Sequence, residues 1–183
     1  MVLVVLISEL FANTVAATDL KEKREKSGVL YEIRIGLFAH DVGGLWSSVN
    51  KESGVGLNAE LIFNRPGFSF LYGSVRPNFG VTFNSKGDTS TVYAGLLWER
   101  GITSRLFINL GLGAAVHNGE LEPSQSDKKA LGSRVLFRIP IELGYKLTER
   151  HRISLLFTHM SNGYLASPNE GLDTLGFRYG FSF

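Results

Sequence analysis

"SRVLFRIPIELGYKL", Ser133 to Leu147, alternates with a period of two rather than 3.6. Val135, Phe137, Ile139, Ile141, Leu143 and Tyr145 fall on one face. Arg138, Pro140, Glu142, Gly144 and Lys146 fall on the other. Residues i and i+2 of a strand share a face, so the stretch predicts a strand with one apolar side and one largely polar side. It is also long enough to cross a bilayer, since a tilted strand needs only about 9–11 residues. Which side meets lipid decides the fold.

The same alternation recurs along the chain. Strands are predicted over 31–41, 54–64, 70–84, 89–100, 105–117, 133–147, 152–162 and 173–183. In the fifth, Leu106, Ile108, Leu110, Leu112 and Ala114 oppose Asn109, Gly111 and Gly113. In the last, Phe177, Tyr179, Phe181 and Phe183 oppose Gly176, Arg178, Gly180 and Ser182. Short turns ("RPGF", "GITS", "LTERH") alternate with longer segments at 42–53, 118–132 and 163–172, with 85–88 as the exception. An even strand count with short turns at one end predicts an all-β fold, an eight-stranded antiparallel transmembrane β-barrel of the outer membrane. A soluble ligand-binding barrel would turn its apolar face inward. The polar face argues against that arrangement. It is rich in glycine and mixes Glu32, Glu60 and Glu142 with Arg34, Arg76, Arg138 and Arg178. Such a set suits a narrow lumen filled with paired charges, because eight strands leave space for side chains but no channel.

The chain has 183 residues, which favours a single domain. With 44% hydrophobic residues it is not disordered by composition, and a net charge of +2 without a basic stripe points away from nucleic acid. No cysteine is present, so disulfides, thiol catalysis and cysteine zinc sites are excluded. No histidine pair has zinc spacing and the acids form no calcium-type loop, so neither a metal nor a cofactor is expected. "MVLVVLISELFANTVAATD" holds an apolar run ending in small residues. That suggests a signal peptide over 1–17, cleaved after Ala17, although no basic residue precedes the run and Glu9 interrupts it. Residues 18–30, with the charged "KEKREK", would form the mature N-terminal segment, and 31–183 the catalytic barrel.

One stretch breaks the apolar face. In "FTHMSNGY", Phe157 to Tyr164, His159 and Ser161 share their parity with Ile153, Leu155 and Phe157. A polar group on an apolar face is costly unless it is used. Asp173 opens the last strand, shares the parity of Phe177 and Phe181, and lies across the hairpin from the pair. Hydroxyl, imidazole and carboxylate then stand on one outer patch at the extracellular end. Such a group can run acyl transfer: the imidazole takes the serine proton and the acid fixes its tautomer. The competing reading is an amphipathic His and Ser in the interfacial belt. Among the other histidines, His40 is expected to point into the lumen, and His117 and His151 to be solvated at strand ends.

"FTHMSNGYLASPNEGLDTLGFRYGFSF", 157–183, resembles the C-terminal end of the lipid A 3-O-deacylase family, PagL, with its H-x-S-N and P-N-x-G-x-[acid] segments. The resemblance extends more loosely to "IRIGLFAHDV", "GLNAELIF" and "VRPNFGVTFNSKGDTS". It implies an outer-membrane enzyme that hydrolyses the ester at position 3 of lipid A, with lipopolysaccharide and outer-membrane lipids as its partners. It implies Ser161 as nucleophile, His159 as base and Asn162 at the oxyanion hole. The family's acid falls on Asp173, with Glu170 as the fallback. Asp173 replaces the more familiar Glu. In "NGY", Tyr164 stands where a glycine is expected, so the conformational freedom moves to Gly163 beside the oxyanion hole. A non-catalytic barrel of adhesin or membrane-stabilising type is the alternative function. The sequence leaves monomer and homodimer open.

Overall fold

The structure, a computed structural model, describes residues 28–47, 49–64 and 69–183. The expected signal segment and nearly all of the expected mature N-terminal segment lie outside the described residues. Eight long strands follow in order: β1 (Leu30–His40), β2 (Val55–Phe63), β3 (Gly73–Asn84), β4 (Thr91–Gly101), β5 (Leu106–His117), β6 (Val135–Lys146), β7 (His151–Ser161) and β8 (Leu172–Ser182). Ser69 and Phe70 add a two-residue ladder against the start of β3. Every strand pairs antiparallel with its sequence neighbours, and β8 returns to β1, with Ile35 opposite Tyr179. Closure satisfies the backbone groups that an open edge would leave bare in hydrocarbon.

Register follows from the alternation, because a slip of one residue would exchange the two faces of a strand. Pro140 has no N–H to donate, and the β5–β6 ladder is interrupted there, between the Leu110–Ile141 and Gly113–Arg138 rungs. Gly111 makes room for it: a Cβ there would lie 2.6 Å from Pro140 Cγ.

The apolar face points outward. Leu37, Leu112 and Phe177 are 61%, 62% and 73% exposed, and only lipid makes such a surface stable. Ile139 and Ile141 lie on the same exterior, half-buried. Phe70, Tyr72, Tyr179 and Phe183 are exposed near the short-turn end, placed as an aromatic girdle at one membrane interface.

The lumen holds charge, as the parity required. Glu32, Arg34, Glu60, Arg76, Arg138, Glu142 and Arg178 are all buried. Arg34 pairs with Glu32 at 2.8 Å and Glu142 at 2.6 Å. Arg178 pairs with Glu60 at 2.5 Å and Glu142 at 2.7 Å. Arg138 and Arg76 stack on Tyr93 and Tyr31, each 3.7 Å from the ring centroid. Glu99 and Arg152 extend the network with a 2.8 Å pair. Both also share inward parity with their neighbours, so the alternation could have found them.

Toward the long-loop end the lumen becomes apolar around Tyr93, Ala115, Leu131, Leu136, Met160 and Leu172. The loops L1 (41–54), L2 (85–90), L3 (118–134) and L4 (162–171) close over it. His40 does point inward, its Nε2 2.8 Å from Glu52 Oε2. His117 departs from expectation: it is buried, its Nε2 donating to the Ser133 carbonyl at 2.7 Å. L3 folds back over the end of β5 and removes it from solvent.

Candidate active site

Ser161, His159 and Asp173 meet on the outer wall near the L4 end of β7 and β8. His159 and Asp173 form a cross-strand rung, and Ser161 stands two residues further along β7. Asp173 Oδ1 lies 2.6 Å from His159 Nδ1, and His159 Nε2 lies 3.0 Å from Ser161 Oγ. An ionised carboxylate only accepts hydrogen bonds, so it fixes the proton on Nδ1. Nε2 is then left as the acceptor for the serine hydroxyl.

One feature differs from the sequence expectation. Asp173 was expected on an open outer patch, yet it is fully buried. The tip of L1 folds down over it, and the Trp46 and Ser47 N–H groups donate to Oδ2 at 2.8 and 2.7 Å. The Trp46 ring packs edge-on against His159, with centroids 5.0 Å apart, and against Phe157 at 5.6 Å. The aspartate therefore has three partners and little freedom. No residue pattern announces this, because backbone amides of a loop do the work.

Glu170, the alternative acid, is engaged elsewhere. Oε1 accepts from Lys51 Nζ at 2.5 Å and Oε2 from the Ala130 N–H at 2.9 Å, so it joins L1, L3 and L4. Burial pushes its carboxyl up, but these hydrogen bonds outweigh that and hold it below the usual carboxylate range. Glu52 is lowered likewise: burial opposes, while hydrogen bonds from His40, Thr89 and the Lys129 N–H prevail. A depressed pKa contributes stability above the unfolded value of about 4.3, lost as pH falls through the folded one. Amide protection in L1, L3 and L4, taken relative to the intrinsic exchange rate at each pH, is therefore expected to fall below about pH 4. Hydrogen exchange by mass spectrometry checks this, and loop protection unchanged from pH 7 to 3 would contradict it.

Asn162 and Gly163 frame the turn that follows the serine. The Asn162 N–H donates to Asn169 Oδ1 at 3.0 Å. Its Nδ2 donates to the Leu131 and Pro168 carbonyls at 3.0 and 2.8 Å, and its Oδ1 accepts from the Tyr164 N–H at 2.9 Å. The Gly163 N–H has no acceptor among the described residues. Gly163 and Tyr164 are both left-handed, with φ of 63° and 62°. The bend therefore needs that conformation at the tyrosine as well, where it is strained.

Beside the relay, on the membrane side, an open groove of about 510 Å³ is lined by Gly44, Leu45, Trp46, Ile141, Phe157 and Leu175. Phe157 and Leu175 form the next outward-facing rung, two residues along from His159 and Asp173. The groove thus lies beside His159, on the side toward the middle of the apolar band.

Known proteins resemble this chain in sequence and in fold. The Bordetella bronchiseptica protein named lipid A deacylase PagL is 38% identical over 86 residues, 47% of this chain and 45% of that relative, so this chain covers under half of its length. The crystal structure of the outer membrane enzyme PagL superposes with a TM-score of 0.62 at 20% identity, covering 83% of this chain and 99% of that one. The N-terminal barrel domain of Pseudomonas aeruginosa OprF superposes at 0.54 with 12% identity, over 84% of this chain and 98% of its own. These two structures share the fold. The model of the lipid A 3-O-deacylase family matches residues 53–182, which takes in seven of the eight strands and all three residues of the relay. By that match the chain belongs to the lipid A 3-O-deacylase (PagL) family.

Proposed function

We propose that this barrel is an outer-membrane serine esterase that hydrolyses the ester-linked acyl chain at position 3 of lipid A. The observation that carries the reading is the Ser161–His159–Asp173 relay on a lipid-facing wall, beside an apolar groove. Membership of the family supports the substrate class. An enzyme acting on a membrane lipid needs its nucleophile on the outside of the barrel, where a substrate can arrive sideways. Long loops mark the extracellular end, so the relay lies at the depth of the outer leaflet, where lipopolysaccharide resides.

The chemistry follows from the geometry. With the acyl chain in the groove, Ser161 Oγ attacks the ester carbonyl while His159 Nε2 takes its proton. Asp173 stabilises the imidazolium that forms. The Gly163 N–H supplies a donor to the oxyanion, and Asn162 holds the turn in shape. As the carbonyl re-forms, His159 returns the proton to the departing sugar oxygen. A water, deprotonated by the same nitrogen, then releases the fatty acid and restores the serine. Every group comes from one chain, so the reaction needs no second copy.

Mass spectrometry of lipid A from cells with and without the protein tests the reading. Loss of the ester-linked chain at position 3 is expected. Unaltered lipid A in the presence of folded protein would favour the non-catalytic barrel. Asp173→Ala is expected to lower kcat by roughly 10²–10⁴-fold, since the acid orients rather than reacts. Asp173→Glu should retain more activity than Asp173→Ala, because it restores a carboxylate to the imidazole. Equal rates for the two would remove Asp173 from the relay.

A further inference from the structure

Lys129, in L3, has a side chain with no exposed surface. A buried ammonium is costly unless it is paired, so its partners indicate its use. Nζ lies 3.1 Å from Asp41 Oδ1, on a side chain equally buried, and donates to the Val49 carbonyl. The Lys129 N–H donates to Glu52 Oε1 at 3.1 Å. All three partners belong to L1. Asp41 in turn accepts, through Oδ2, the N–H groups of Lys51 at 2.6 Å and Glu52 at 2.9 Å. One carboxylate therefore ties the start of L1 to its end, and Lys129 neutralises that carboxylate. Asp41 sits at φ 52°, a left-handed conformation that a non-glycine residue keeps only when its surroundings enforce it.

The middle of the loop so clasped reaches the relay. Its Trp46 and Ser47 N–H groups hold Asp173 Oδ2, and the Trp46 ring lies against His159. We propose that Lys129 is a positioning residue for the esterase: clasped to Asp41 and Val49, it sets the curvature of L1 that delivers two backbone amides to Asp173. The proposal rests on the relay being the catalytic group. Lys129 touches no reacting atom. It acts by fixing one carboxylate, Asp41, so that a loop can fix another, Asp173.

Two variants test it in the full-length, detergent-solubilised protein. Lys129→Met keeps the apolar stem and removes the charge. Lys129→Met combined with Asp41→Asn leaves no unpaired buried charge, which guards against simple misfolding. The first readout is the proton resonance of His159 Nδ1–H, assigned by its loss in Asp173→Ala. It is expected to move in both variants while the barrel stays folded and heat-modifiable. An unmoved resonance would overturn the proposal, whether or not the relay is catalytic. The second readout is deacylation. Lys129→Met should lower kcat roughly tenfold with KM little changed, and less than about twofold in an Asp173→Ala background, where no carboxylate remains to be positioned. An equal loss in both backgrounds would make Lys129 merely structural and overturn the proposal. Persistent activity in Ser161→Ala would instead sink the relay reading, and the resonance would still judge the clasp.

Discussion

Ser161→Ala is expected to reduce lipid A deacylation to the level of cells lacking the protein, a loss on the order of 10⁵–10⁶-fold, while leaving a folded barrel. The nucleophile cannot be replaced by a neighbour, because His159 Nε2 has no other hydroxyl at 3.0 Å among the described residues. Folding should be indifferent to the change. The hydroxyl stands on the outer wall at the end of β7 and fills no part of the lumen. Heat-modifiable migration on a gel reports the barrel, and mass spectrometry of lipid A reports the chemistry. Full activity in Ser161→Ala would leave the reaction in place and remove the nucleophile. Loss of both activity and the folded form would make the variant uninformative about chemistry and give Ser161 a structural role that its position does not predict.

The second large effect lies in the lumen. Glu142 accepts from Arg34 at 2.6 Å, from Arg178 at 2.7 and 3.0 Å, from Ser154 at 2.5 Å and from Asn109 at 2.7 Å. Glu142→Ala removes the carboxylate and leaves two buried guanidiniums short of a partner, together with an unfilled space. Breaking a buried ion pair from one side typically costs about 3–5 kcal/mol, because the surviving charge has no water to return to. A loss of that size is expected in urea unfolding in detergent, with a lower temperature for the heat-modified shift. A change within about 0.5 kcal/mol, the range of an ordinary surface substitution, would show that the network contributes little. The expectation concerns removal of one partner only. Replacing the whole set by well-packed apolar side chains could be neutral.

The fold was legible in the sequence because a strand's two faces are fixed by parity and a membrane barrel gives each face a different solvent. Val135, Phe137 and Leu143 were assigned outward and are exposed, and Arg138 and Glu142 were assigned inward and are buried. Parity also put His159, Ser161 and Asp173 on one side of one hairpin, which is why the site could be located before its distances were known. It also favoured Asp173 over Glu170, which has even parity and lies in a loop, but it could not show that Glu170 is held by Lys51 and Ala130 instead. Nor could it foresee that Asp173 would be covered.

What the sequence determined, then, is whatever repeats with the period of the backbone: eight strands, the face that each side chain takes, the lipid-facing wall and the charged lumen. Tertiary structure alone decided how the loops meet. Lys129, Asp41 and Glu52 come from segments without periodicity, and they converge only after closure of the barrel sets L1, L3 and L4 side by side. The groups that hold Asp173 are main-chain N–H groups of Trp46 and Ser47. Every non-proline residue carries such a donor, so no residue identity can reveal where it will point. Only the path of the chain aims it.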